Sequence, residues 1–228
     1  MRYNAPMNAA LLPASPAFLS TGAAGLDAAL GGGFARGRIA EMFGPDLAPC
    51  RALALATLAA AQAAGLTVAL VDVAHAFEPG AVGIDAARLI VSHPDTVDQA
   101  LDIVEALARS AAIDLVVVDD VSSMQGAEEG GALLARRMSR ALRKLTLPAE
   151  RTGCAVLFLN RVTRREWAYG PSETTSGGNA LKYFSTARVD LRRGGDADGN
   201  PVLRARVVKN KLAPPFASCL LPLPLVSP

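Results

Sequence analysis

Residues 38–64 read RIAEMFGPDLAPCRALALATLAAAQAA, and the order of their segments indicates the fold class. Arg38 to Phe43 form a short apolar run with little room for a helix, and Gly44-Pro45 favours a turn. Arg51 to Ala64 are rich in alanine and leucine, which have high helix propensity. The stretch therefore predicts a strand, a loop and a helix, in that order.

The same alternation continues along the chain. Thr67–Asp72 and Leu115–Val118 are apolar runs of strand length, and Cys154–Asn160 is a third. Helices are predicted between them, over 131–145 and on the apolar face formed by Val97, Leu101, Val104 and Ala108. Strands buried on both faces and alternating with helices predict an α/β fold, with a mostly parallel, twisted sheet covered by helices on both faces.

The character of the sequence changes after Asn160. Residues 161–178 are polar, contain glycine and lack periodicity, which predicts a long irregular loop of the kind that usually carries function. Arg188–Arg193 and Val202–Val208 alternate as antiparallel strands do, and a DADGN turn joins them. We therefore expect an antiparallel C-terminal extension of the sheet, and the prolines from Pro214 onward exclude a further central strand.

Composition places the chain among ordinary folded proteins. It has 228 residues, 51% hydrophobic and 19% charged, enough for one core domain over 18–228 behind a flexible N-terminal arm over 1–17. Three distant cysteines and two histidines give no disulfide framework and no zinc-ligand spacing. No apolar run approaches about 18 residues and no signal peptide is present, so we expect a cytoplasmic protein without a membrane partner.

Charge is unevenly distributed along the chain. Residues 1–135 carry 6 Lys/Arg against 15 Asp/Glu, whereas residues 136–228 carry 17 against 6. The basic residues of the second part recur over several predicted elements rather than in one run. This distribution favours a polyanionic partner such as nucleic acid, although a solvated surface without a partner would share it.

Several motifs together resemble one family. They are the pattern STG-(x)3-LD-(x)2-LGGG-(x)3-GRI-(x)4-GP over 20–45, SHPDTVDQALDIV over 92–104, RALRKL over 140–145, PSETTSGGNALKYF over 171–184 and VVKNKLAPPF over 207–216. Across about residues 18–216 the sequence resembles the bacterial RecA recombinases. The resemblance implies a RecA-like P-loop ATPase core, without that family's C-terminal domain.

The resemblance also places a nucleotide site, but its chemistry is altered. A P-loop needs glycine amides around the phosphates, a lysine on the β/γ oxygens and a hydroxyl on magnesium. In the turn that begins Gly44-Pro45, the second glycine falls on Pro49, the lysine on Cys50 and the hydroxyl residue on Arg51. We expect no ordinary binding of ATP and magnesium, and no bound metal.

Other family positions are only partly retained. The water-activating glutamate falls on Ala74 and the γ-phosphate-sensing glutamine on Arg161, so no catalytic residue is expected. Asp119 matches the Walker-B carboxylate, and Lys209 and Lys211 match lysines that reach a neighbouring subunit's ATP. An alternative is that Arg51 or Arg161 supplies the missing positive charge and supports weak nucleotide binding.

The resemblance further implies a surface for single-stranded DNA. The first loop of that surface, Met124–Gly131, is shorter than the family's, and the second loop is nearly full length. Arginines neutralise phosphates, glycines allow close backbone approach and aromatic rings stack on bases. The candidate DNA-binding residues are Arg136, Ser139, Arg143, Arg164, Arg165, Trp167, Tyr169, Ser176, Gly177, Gly178 and Asn179.

The leading hypothesis is therefore a DNA-repair or damage-response (SOS) accessory that binds single-stranded DNA, a RecA filament, or both, without hydrolysing ATP. An error-prone polymerase is an equally consistent protein partner. Two alternatives stay open at this stage: a DNA-dependent ATPase with an unconventional pocket, and a protein-only module that modulates recombinase filaments or a mutagenic polymerase.

Overall fold

The computed structural model describes residues 18–78, 80, 83–124, 131–164, 173–197 and 200–223. The strands are β1 (Phe18–Leu19), β2 (Phe34–Ala35), β3 (Ile39–Gly44), β4 (Val68–Asp72), β5 (Leu89–Ser92), β6 (Leu115–Asp119), β7 (Ala155–Arg164), β8 (Glu173–Thr175), β9 (Ala187–Ala197), β10 (Asn200–Asn210) and β11 (Ser218–Pro222). The helices are α1 (Ala24–Leu30), α2 (Leu47–Ala63), α3 (Val97–Arg109), α4 (Gly131–Thr152) and α5 (Ala180–Phe184), with 3-10 turns at Ala86–Arg88 and Val121–Met124.

One sheet organises the described part of the chain, with strand order β11-β10-β9-β3-β7-β6-β4-β5. The pairings from β9 across to β5 are parallel, and β10 and β11 add to β9 in antiparallel register. The predicted α/β class, with a mostly parallel sheet and an antiparallel C-terminal extension, is confirmed.

Helices cover both faces of the sheet because successive strand residues point to opposite sides. In β4, Val68 and Leu70 join the core beneath α1 and α2, whereas Ala69 and Val71 join the core beneath α3 and α4. All five residues of β4 and of β6 are buried. The apolar runs of the sequence are thus strands covered on both faces, as predicted.

Two helices differ in length from the prediction. Helix α2 begins at Leu47 rather than Arg51, because Asp46 caps its N-terminus. Helix α4 continues past Leu145 to Thr152 and contains Pro148. The buried positions Leu142, Leu145 and Ala149 extend its apolar stripe, so packing against the sheet carries the helix through the proline.

The segment 161–178 is predicted to be an irregular loop, but residues 161–164 and 173–175 form strands. Strand β7 runs on to Arg164 and pairs with β8 in antiparallel register, with Val162 opposite Thr175 and Thr163 opposite Thr174. The physical reason is that β-branched residues stand on both sides of this pairing, and such residues favour strands. Residues 165–172, and with them Arg165, Trp167 and Tyr169, lie outside the described residues, as do the proposed arm at 1–17 and most of the first loop.

Over the described ranges, no helix has the length and apolar character that crossing a bilayer requires.

Candidate functional site

The candidate nucleotide site lies where the parallel strands end. Gly44, Asp72 and Asp119 end β3, β4 and β6, and Asn160 lies on β7 beside the end of β3. Ligands of open parallel sheets bind at the carboxyl ends of the strands. The fold therefore brings the sequence-predicted residues Gly44, Pro45, Cys50, Arg51 and Asp119 together at one edge of the sheet.

The segment expected to form a phosphate loop is instead mostly helix. Only Pro45 and Asp46 separate β3 from α2, and Leu47, Ala48 and Pro49 form the first helical turn. The Asp46 carboxylate accepts a hydrogen bond of 3.0 Å from the Ala48 amide, and Pro49 has no amide hydrogen to offer. The N-terminus of a helix favours a bound anion such as phosphate, and at α2 the Asp46 carboxylate takes that place.

Cys50 stands where the resemblance places a phosphate-binding lysine. Its side chain is fully buried, and its sulfur lies 3.9 Å from the carbonyl oxygen of Asp46. Burial raises the pKa of the thiol far above its ordinary value, and the nearby Asp119 raises it further. Cys50 is therefore an uncharged core residue that supplies no positive charge to a phosphate.

Arg51 lies between two carboxylates that end β6. Its Nε atom lies 2.6 Å from Asp119 Oδ2, and its Nη2 atom lies 3.3 Å from Asp120 Oδ2. Both carboxylates are buried, whereas 30% of the Arg51 side chain is exposed. Burial lowers the pKa of Arg51, but the hydrogen bond and the charge of Asp119 give a net rise. The guanidinium is charged and pairs with Asp119, the carboxylate that the resemblance assigns to magnesium.

Asp120 is a site residue that the sequence reasoning missed. It accepts hydrogen bonds from the Ser122 hydroxyl, from the Ser123 amide at 2.9 Å and from the Ser123 hydroxyl at 3.1 Å. The signal available in the sequence was the Asp119-Asp120 doublet at the end of an apolar strand. Asp119 Oδ1, in contrast, has no hydrogen-bond partner within the described part of the chain.

The end of the neighbouring strand β4 carries Asp72 and leads into the turn that contains Ala74. Ala74 occupies the family's glutamate position, and the buried Asp72 accepts hydrogen bonds of 3.0 Å from the amides of Ala76 and Phe77. His93 lies 3.5 Å from Asp72 and stacks on His75. In the ranges that the model covers, no three His, Cys, Asp or Glu side chains form a metal-binding group.

A cavity of about 370 Å³ opens beside Arg51 and Asp119. Glu78 is a third charged residue of its lining, and the remaining walls are largely apolar, including Leu55, Leu58 and Phe77. Apolar walls do not solvate phosphates. The cavity therefore adds mainly apolar surface, and no further cation from the described residues, beside Arg51 and Asp119.

The candidate DNA residues of α4 lie on one solvent-facing stripe. Arg136 and Arg143 are exposed and Ser139 is half-buried between them. Arg140 and Lys144, which the sequence reasoning did not include, are also exposed and extend the same basic stripe. Residues three, four and seven apart share a helix face, so the spacing itself could have identified Arg140.

The glycine turn of the second loop packs against the domain. Ser176 and Gly177 are buried, Gly178 is half-buried and Asn179 is exposed. Gly177 and Gly178 have φ angles of 79° and 67°, which favour glycine. A methyl group at Gly177 would lie 3.3 Å from Val121 Cγ1, so the turn is seated on the 3-10 turn after β6.

A buried polar network holds the same turn from the other side. The Asn160 side chain exchanges two hydrogen bonds with the backbone of Ser176 and donates a third, of 2.9 Å, to Glu41. Glu41 is fully buried and pairs at 2.5 Å with Arg188, whose guanidinium lies 4.6 Å from the centre of the Phe43 ring. Asn160 thus joins the central strand β3 to the second candidate DNA loop.

Lys209 and Lys211 lie apart from Arg51. Asn210 pairs with Ala187 at the start of β9, which places both lysines at the opposite edge of the sheet. Lys209 Nζ donates to the carbonyl oxygens of Lys182 at 2.5 Å and Tyr183 at 3.1 Å. Burial, helped by the charges of Lys211 and Arg188, lowers the pKa of Lys209 to about 8. The fold does not bring these lysines into the candidate nucleotide site of the same chain.

Comparison with known proteins finds a family model and curated relatives that match most of this chain. The family model described as RecA N-terminal domain matches residues 14–223. Protein RecA of Trichormus variabilis is 44% identical over 216 residues, covering 87% of this chain and 60% of the relative. Protein RecA of Sulfurimonas denitrificans is 43% identical over 218 residues, covering 87% of this chain and 63% of the relative. The chain thus spans about 60% of the length of these relatives.

A solved structure shows the same fold. The crystal structure of the RadB recombinase superimposes with a TM-score of 0.74 over 91% of this chain and 97% of the RadB chain, at 24% sequence identity. At that identity the likeness concerns the arrangement of helices and strands.

Proposed function

Because this chain belongs to the RecA family, we propose that it acts in DNA repair or recombination as an accessory protein that binds single-stranded DNA without turning over ATP. The observation that carries this proposal is the ion pair of Arg51 with Asp119 and Asp120. It fills the cation position of the family's nucleotide site with a side chain of the protein itself.

Three further features support the absence of turnover. Asp46 places a negative charge at the helix N-terminus that would have to hold the phosphates. Cys50 contributes no positive charge there, and Ala74 cannot orient or deprotonate a water molecule. An ATPase with an unconventional pocket would need to displace Arg51 from two buried carboxylates before magnesium could bind, which is costly.

The DNA-binding part of the proposal is supported by the basic stripe on α4. Arg136, Arg140 and Arg143 present charges to solvent along one helix face, as a phosphate backbone requires. In the sequence of the second loop, Arg165, Trp167 and Tyr169 combine cations with aromatic rings, the usual means of holding unpaired bases. We propose the damage response as the setting, with a RecA filament or an error-prone polymerase as protein partner.

A protein-only role is the second candidate function. It is favoured by Lys209 and Lys211, which lie at the opposite sheet edge from the candidate nucleotide site and beside the 73% exposed Tyr183. A surface of this kind could contact a neighbouring recombinase subunit and cap its filament without touching DNA. The two candidates differ in whether the isolated chain binds oligonucleotides.

Titration of the purified chain with oligo-dT tests the proposal, because Trp167 is the only tryptophan and lies in the second loop. We expect saturable quenching or a shift of its emission, with an apparent affinity that falls steeply as salt is raised. A Trp167→Phe variant, followed with a labelled oligonucleotide, separates loss of the reporter from loss of binding. Salt-independent or absent binding would favour the protein-only role, and robust magnesium-dependent ATP hydrolysis would refute the accessory role.

A further inference from the structure

We propose that Arg51 is a built-in cation that fixes the stems of both candidate DNA loops, so that DNA binding by this chain needs neither nucleotide nor metal. The stems are the 3-10 turn Val121–Met124 and the glycine turn over 176–179. The inference rests on the proposed function, because it concerns the control of that same DNA surface. It follows from a continuous set of contacts that runs from Arg51 to the glycine turn of the second loop.

The first step joins Arg51 to the first loop. Arg51 contacts Asp120 Oδ2 at 3.3 Å, and Asp120 in turn accepts hydrogen bonds from the hydroxyl of Ser122 and from both the amide and the hydroxyl of Ser123. These serines belong to the 3-10 turn Val121–Met124, which leads directly into residues 125–130. The orientation of the Asp120 carboxylate therefore sets the stem of the first candidate DNA loop.

The second step joins that stem to the second loop. Val121 is fully buried, and its Cγ1 atom lies against the position that a Gly177 side chain would occupy. A methyl group at Gly177 would also lie 3.4 Å from Met138 Cγ, and one at Gly178 would lie 2.7 Å from Ala135 Cβ. The glycine turn thus rests on the 3-10 turn and on α4, the helix that carries Arg136 and Arg143.

The third step concerns what Arg51 prevents. Asp119 and Asp120 are adjacent in sequence and both are buried, and two unpaired carboxylates in such surroundings repel each other and lose solvation. Without a cation, Asp120 would have to turn away from its serine partners or bind a proton. Arg51 is covalently attached, so it supplies this charge at all times, whereas a metal or a nucleotide does so only when bound.

Oligonucleotide binding by matched variants tests the inference. Fluorescence anisotropy of a labelled oligo-dT is measured for the wild type, Arg51→Ala and Arg109→Ala. Arg109 is an exposed arginine on α3 that pairs with Glu105, and its loss matches the change in net charge. We expect the wild type to bind equally in EDTA and in ATP with magnesium. Arg51→Ala is expected to bind about tenfold more weakly, a typical size for coupled sites, and Arg109→Ala to bind as the wild type does.

Two further variants keep the test decisive if Arg51→Ala does not fold. Ser122→Ala removes one contact between Asp120 and the 3-10 turn and leaves the ion pair, so we expect a smaller loss of affinity in the same direction. Arg51→Ser frees Asp119 and Asp120 for a metal, and millimolar magnesium should restore the affinity of this variant but not change that of the wild type.

The outcomes separate the two proposals. If the wild type fails to bind oligo-dT, the proposed function is wrong and the inference falls with it. If the wild type binds and both Arg51→Ala and Ser122→Ala bind equally well, only the inference is wrong. Wild-type binding that requires ATP or magnesium would also overturn the inference while leaving DNA binding in place.

Discussion

Asn160 and Ser176 hold each other through two hydrogen bonds, one from Asn160 Nδ2 to the Ser176 carbonyl oxygen at 3.0 Å and one from the Ser176 amide to Asn160 Oδ1 at 3.2 Å. The side chain of Asn160 thereby pairs with the backbone of a buried turn in the manner of a neighbouring strand. Both residues are buried, so water cannot replace either bond. This pairing ties the end of the central sheet to the start of the glycine turn.

Replacing Asn160 with alanine should therefore destabilise the protein. The change leaves the amide and carbonyl of Ser176 and one oxygen of Glu41 without their partner, and a buried unsatisfied polar group costs about 1–3 kcal/mol. We expect the free energy of unfolding in urea to fall by at least about 2 kcal/mol. Asn179→Ala is the matched control, because Asn179 is exposed and forms no side-chain cap. Equal stability of the two variants would contradict the role given to Asn160.

A second prediction concerns the N-terminus of α2. Asp46→Ala removes the side chain that caps Ala48, and the loss of such a cap costs about 1 kcal/mol. Asp46→Asn keeps an acceptor and removes only the charge, so this variant should retain most of the stability. Thermal and urea unfolding measure both variants. If alanine is tolerated as well as asparagine, the helix does not depend on this cap.

A third prediction tests the second loop as a DNA contact. The double variant Arg164→Ala, Arg165→Ala should weaken oligo-dT binding by about 1–3 kcal/mol, because it removes two cations that can neutralise phosphates. The double variant Arg88→Ala, Arg109→Ala removes two charges elsewhere and is expected to bind normally. Unchanged affinity after the loss of Arg164 and Arg165 would remove the loop from the mechanism.

The lowered pKa of Lys209 predicts a pH dependence of stability. Burial keeps this pKa at about 8 in the folded chain, against an ordinary value of 10.5, so between these values the unfolded chain binds more protons. Stability contributed by this group is therefore present above the higher value and is lost as pH falls towards about 8. Relative to Lys209→Met, the wild type should gain stability as pH rises through this range. The gain should be small because the side chain is partly exposed to solvent.

Urea midpoints of the wild type and Lys209→Met, measured in parallel across the same pH range, report this difference. Because the charge of Lys211 helps to lower the pKa of Lys209, Lys211→Met should show a smaller gain of stability with pH than the wild type. A wild type that loses stability relative to Lys209→Met as pH rises would contradict the direction of the shift.

The sequence allowed most of the sheet to be predicted but not the contacts that complete the site. Apolar runs such as Leu115–Val118 identify buried strands, because a strand covered on both faces has apolar residues at every position rather than at every second one. The partners Arg51 and Asp119 are 68 residues apart, and Glu41 and Arg188 are 147 residues apart. Such pairs arise from which strand ends become neighbours, and this information is absent from local periodicity.

Local capping also escaped prediction for a physical reason. Helix propensity placed the start of α2 at Arg51, although the Asp46 side chain stabilises a start at Leu47. The family pattern suggested a loop there, and the capping preference of aspartate prevailed over it. The doublet Asp119-Asp120 could have been recognised as needing a cation, because two adjacent carboxylates at the end of a buried strand require one.

The ion pair of Arg51 has an evolutionary consequence. Replacing Arg51 alone with serine or threonine would leave Asp119 and Asp120 without their cation, and position 50 would still hold an uncharged cysteine rather than a lysine. Replacing Cys50 alone with lysine would bury an ammonium group next to Pro49, in the first turn of α2, while the Asp46 carboxylate still caps that helix end. Each single substitution would thus leave buried charge without a partner, so positions 50 and 51 would have to change together to rebuild the family's phosphate-binding pair.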